Sequence, residues 1–134
     1  MSTAASAICV MQDGMDQSKF RIPRTRHAKS KLLARLFRPQ LHIAGTWIHG
    51  KRLFLSVADE DTKKDAAAQL EQLSIALDSV WREHGKLPQG LCVQCDNTYR
   101  EGKNRFCMSY YILLVALGVM RWWQASYLRV GHSI

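Results

Sequence analysis

The sequence predicts a single α/β domain in which a mixed sheet is covered by helices. Three observations lead there. A short continuous apolar run opens the chain, two β-rich segments with a turn between them follow, and then two long helical patterns each precede another short apolar run. At 134 residues, with 47% hydrophobic and 22% charged side chains, the chain suits one folded domain and excludes global disorder.

Ala5 to Gln12 is continuously apolar until Asp13-Gly14, which predicts a strand buried on both faces. Residues 17–40 form a basic loop interrupted by Pro23 and Pro39, with a short helix expected over Lys29 to Phe37. Leu41 to His49 and Arg52 to Ala58 are aromatic and β-branched around His49-Gly50-Lys51, the pattern of an antiparallel hairpin.

Thr62 to His84 is the clearest helix. Ala66, Leu70, Leu73, Leu77, Val80, Trp81 and His84 recur at helical spacing. Thr62 with Asp65 resembles a capping box, and Gly85 followed by Pro88 ends the run. Leu91 to Cys95 reads as a strand, Lys103 to Val119 as a helix packing through Phe106, Tyr110, Leu113, Leu114 and Leu117, and Trp122 to Val130 as a last strand. The order is β-β-β-α-β-α-β. Consecutive hairpin links followed by helical crossovers give a mixed sheet. If the first strand neighbours the fourth in parallel, Asp13 and Asp96 emerge at one sheet edge. Strands about 4.8 Å apart would let both carboxylates reach one divalent ion.

Charge narrows the partner class. The formal net charge is +8, and no acid occurs between Gln17 and Ala58 while Lys19, Arg21, Arg24 and Arg26 open a run of cations. Such a balance favours a polyanion, with released counterions supplying much of the affinity. A solvated basic loop is the plainer reading of the same residues. Arg24 to Arg35 also has the composition of a nuclear-import signal.

Cys9, Cys92 and Cys107 lie within apolar runs and read as small hydrophobes of a reducing, intracellular compartment. Cys92-Val93-Gln94-Cys95 matches C-x-x-C, but residues three apart on a strand face opposite ways, which argues against a shared metal or redox role. Phe106 to Met120 is too short to span a bilayer, so no membrane association is expected.

Three segments carry a resemblance. They are Gln12-Asp13-Gly14-Met15-Asp16-Gln17-Ser18-Lys19-Phe20 through Pro23, Cys95-Asp96-Asn97 through Glu101-Gly102-Lys103-Asn104, and Gly131-His132-Ser133. With the element order, they resemble the ribonuclease H-like fold of DDE-type transposases and integrases. More narrowly, they are similar to a transposase-derived domain found in eukaryotic proteins. The resemblance implies two-metal phosphoryl chemistry on nucleic acid, DNA foremost. Mg²⁺ or Mn²⁺ would be held by Asp13 and Asp96 as catalytic acids, with Asp16 as the alternative to Asp13.

Asn97, Glu101, Lys103 and Asn104 match the motif beyond Asp96 and would orient ligands or contact phosphate, while His132 belongs to the matched terminal segment. Lys19, Arg21, Arg24 and Arg26 would contact the nucleic acid, and no small-molecule cofactor is implied. The family's third acid follows the Gly-His element in a further helix. The sequence ends at Ile134, so the expectation is an incomplete or inactive site. The alternative is a non-catalytic nucleic-acid-binding or interaction module with the same fold. Each residue also has a structural reading: Asp13-Gly14 as a turn, Asp96-Asn97 as a cap, the histidines and tryptophans as packing.

Overall fold

The computed structural model describes residues 7–14, 35–63, 65–96 and 103–127. Their order is β1 (Ala7–Gly14), β2 (His42–Ile48), β3 (Arg52–Ala58), α1 (Ala66–His84), β4 (Gly90–Cys95), α2 (Arg105–Ala116) and β5 (Trp122–Tyr127). The strands make one five-stranded sheet in the order β3-β2-β1-β4-β5. β2 is antiparallel to β1 and β3, while β4 is parallel to β1 and β5. The α/β class and the β-β-β-α-β-α-β order expected from the sequence are therefore those of the described residues. Residues 29–34 of the helix expected over Lys29 to Phe37 and most of the basic loop lie outside the described residues, and Leu36 and Phe37 at its expected end are not helical.

The core occupies one face of the sheet. Ile8 and Val10 of β1 pair with Leu91 and Val93 of β4, and Val10 also faces Ile48 of β2. Against them pack Leu73, Ala76, Leu77 and Val80 of α1 and Cys107 and Tyr111 of α2, all buried. Both helices share this face because each is a crossover joining parallel strands in the same lateral direction.

β1 is not buried on both faces as expected: its pattern alternates, with Ile8, Val10 and Gln12 inside and Cys9, Met11 and Asp13 outside. Among the described residues no helix covers that second face, and Trp47, Leu53, Leu55 and Val57 are exposed on it.

The caps set the helices' ends. Asp65 alone is the N-cap of α1, accepting from the Ala68 amide at 3.1 Å. Thr62 belongs instead to the preceding turn, donating its hydroxyl to Asp59. Gly85 ends α1 in the left-handed conformation, φ +68°, where a side chain would be strained. Trp81 and His84 fall on the solvent side of α1 rather than in the buried stripe.

α2 packs Tyr110 and Leu114 of its expected face against the core but not the other three residues. Cys107 and Tyr111 are buried, whereas Phe106, Leu113 and Leu117 are exposed. Its sequence is apolar nearly all round, so periodicity does not select a face. The sheet it packs on does, and Asn104 caps the helix there, its Oδ1 accepting from the amides of Phe106 and Cys107. Asn104→Ala is expected to cost about 1 kcal/mol of stability, read as a lower urea midpoint at unchanged slope.

Candidate functional site

The candidate site begins where the parallel β1–β4 ladder ends. The last paired positions are Gln12 and Cys95, and each is followed by an aspartate: Asp13 on β1 and Asp96 directly after β4. Asp13 and Asp96 thus occupy equivalent positions, one residue past the last pair of the ladder. Their alternation places both on the face opposite the helices, Asp13 exposed and Asp96 half-buried. On the other side of Asp13 the paired position of β2 is Gly45, which presents no side chain toward it. Leu53 and Leu55 of β3 reach over Gly45 instead, within 4 Å of where its side chain would start.

Beneath the two acids lies a polar network that sequence reading did not single out. Gln12 is only 5% exposed, and its side chain ties β1 to Thr46 of β2 and to α1. Its Nε2 donates to the Gln69 carbonyl at 3.0 Å, and its Oε1 accepts from Gln69 Nε2 at 3.2 Å. Buried Thr46, its partner on β2, donates to Gln72 Oε1 at 3.5 Å. A glutamine inside an otherwise apolar run was the available signal, since a buried amide must find partners. These bonds clamp the last inward position before Asp13 to helix α1.

The buried side of Asp96 is thiol and phenol. Cys95 is pushed up to about 11, first by burial and then by Cys107 and Asp96, against a lowering hydrogen bond from Gln69. Burial also raises Cys107 and takes Tyr111 well above the ordinary tyrosine range. These groups stay neutral at physiological pH and form a low-dielectric floor behind the acid.

Lys103 stands at the same end of the sheet, its ammonium 5.6 Å from the ring centre of Tyr127, the residue paired with Cys95. Asn104 caps α2, so its side-chain oxygen is engaged in backbone hydrogen bonds rather than offered at the edge. Asn97, Glu101, His132, Asp16 and the cations Lys19, Arg21, Arg24 and Arg26 lie outside the described residues.

Chemically, the edge offers two hard carboxylate donors, which suit Mg²⁺ or Mn²⁺ better than softer ions. Among the described residues no group of three His, Cys, Asp or Glu side chains is placed to hold a metal. Two carboxylates are still a usual protein contribution to a Mg²⁺ site, where water and substrate phosphate complete the shell. The donor set therefore fits such an ion. The two cysteines of the C-x-x-C segment diverge as expected: Cys95 is buried on the helix side and Cys92 is on the open face.

Two measurements check this arrangement. Gln12→Ala leaves the Gln69 amide and Thr46 without their partner and is expected to cost about 1–3 kcal/mol, measured by urea unfolding. For Cys95, the unfolded thiol ionises near 9 and the folded one near 11. Its stabilising contribution is complete below about pH 9 and is lost as pH rises through about 11. Urea midpoints followed from pH 8 upward should fall less steeply for Cys95→Ala than for wild type.

Comparison with known proteins returns one family. The model of the domain of unknown function DUF7869 matches residues 31–134, which include β2 through β5, both helices and Asp96, and begin after β1. No curated protein and no solved structure matches the chain. Among the described residues no helix is long and apolar enough to cross a membrane.

Proposed function

The chain belongs to the DUF7869 family, and we propose that it is a transposase-derived, ribonuclease H-like domain that binds nucleic acid at its Asp13–Asp96 edge. One observation carries the reading: two acids follow the last paired residues of adjacent parallel strands. The element order, the net charge of +8 and the cations of the 17–40 loop support it. DNA is the polyanion favoured, and residence in the nucleus is part of the same proposal.

Asp13 and Asp96 would hold a Mg²⁺ or Mn²⁺ ion, which supplies a bridge to phosphate oxygens and, with a full ligand set, polarises the phosphoryl centre. The protein's own part is to keep the two carboxylates in register. Gln12 and its partners hold β1, the Cys95 floor excludes water behind Asp96, and Lys103 adds a cation at the same end. Without a counter-ion the paired carboxylates repel phosphate; with one they attract it.

A second reading keeps the fold and the binding without cleavage. It is favoured by the two-acid count, because the described residues offer no third ligand.

Fluorescence anisotropy on a DNA duplex separates these readings. Affinity is expected to fall steeply with salt and to rise on adding Mn²⁺. Asp96→Asn should bind more tightly than wild type without metal and lose most of the Mn²⁺ response. A shallow salt dependence would overturn nucleic-acid binding. Mn²⁺-dependent nicking abolished in Asp96→Asn would establish the catalytic reading, and binding without nicking at any metal concentration the non-catalytic one.

A further inference from the structure

We propose that Cys9 and Cys92 form a reversible cross-strand dithiol/disulfide site on the open face of the sheet. They are directly paired in the parallel β1–β4 ladder and lie on the same face, away from the helices. Cys9 is exposed and Cys92 half-buried. Together they line a shallow depression of about 280 Å³ with Met11, Trp47 and His49.

Paired residues of neighbouring strands stand about 4.8 Å apart, inside the Cα separations of roughly 4.4–6.8 Å that disulfides span. Cys92 is raised first by burial and then by the neighbouring Cys9 thiol. The site does not depend on the nucleic-acid reading, and the spacing Cys92-x-x-Cys95 gives no hint of it. The partner of Cys92 is a residue more than eighty positions away in the chain.

A low-molecular-weight disulfide such as glutathione disulfide supplies the oxidising equivalents. The Cys9 thiol loses its proton to solvent, and its thiolate attacks one sulfur of the external disulfide. That S–S bond breaks, one external thiolate leaves and takes up a proton, and a mixed disulfide remains on Cys9. Cys92, deprotonated in turn, attacks the Cys9 sulfur. The Cys9–Cys92 bond forms and the second external thiol departs with a proton. Two protein thiols are oxidised and one external disulfide is reduced to two thiols.

The placement has a consequence for the acidic edge. Asp13 lies four residues beyond Cys9 and Asp96 four beyond Cys92, on the same face, about 13 Å along each strand at about 3.3 Å per residue. The disulfide would staple the two strands that carry the acids.

The test incubates the folded chain with glutathione disulfide, blocks the remaining thiols, and maps tryptic peptides by mass spectrometry. The expected product is the Cys9 peptide joined to the peptide that holds Cys92 and Cys95. The link should persist in Cys95→Ser, disappear in Cys92→Ser, and be released by dithiothreitol. A glutathione adduct that stays on Cys9 with Cys92 free would overturn the proposal. So would a Cys92–Cys95 bond or a bond between two chains. Circular dichroism of Cys92→Ser matching wild type ties its loss of linkage to the missing sulfur; if that variant is unfolded, the wild-type and Cys95→Ser maps decide, read by fragmentation at Cys92.

Discussion

The pairing of β1 with β4 in parallel is the constraint on which the remaining structure rests. Because the strands run the same way, a helical crossover must join β3 to β4, and α1 supplies it over the face that Ile8, Val10, Leu91 and Val93 present. A one-residue slip of either strand would send its own apolar pair, Ile8 and Val10 or Leu91 and Val93, to the open face and turn its cysteine inward. The register thus decides the core, the acidic edge and the thiol pair together.

Burial on one face and chemistry on the other follow from that division. The helix side is apolar except where Gln12, Thr46, Gln69 and Gln72 satisfy one another, and it is dry enough to keep Cys95 and Tyr111 neutral. The open side carries Asp13 and Asp96 at one end, Cys9 and Cys92 further along, and a flank of Trp47, Leu53, Leu55 and Val57. A polar network clamping the strand just before an acid is a way to hold a charged group still without burying it. The buried amide of Gln12 finds its partners in α1, so the acid's position is tied to the core.

Much of the fold was legible locally. The hairpin was read to within a residue at each end, because alternation and a glycine turn are properties of adjacent residues. α1 was read as a helix of nearly the right length, yet its cap was misplaced. Thr62 and Asp65 both offer capping oxygens, and only the packed helix selects between them. The inner face of α2 was legible only in part for a related reason: with apolar residues on nearly every side, the choice of face belongs to the sheet the helix meets. Cys9 was read as a core residue because an apolar run does not say which of its two faces is covered.

The sequence alone determined the α/β class, the order of seven elements, and the two acids that end β1 and follow β4. Those are signals of composition and short-range period, written within a few residues of chain. Only the tertiary structure decided that β1 and β4 are neighbours, that their ladder ends one residue before Asp13 and Asp96, and that Cys92 stands opposite Cys9. Strand adjacency and register are set by burying distant side chains against one another. No local spacing encodes which residue more than eighty positions away will stand opposite.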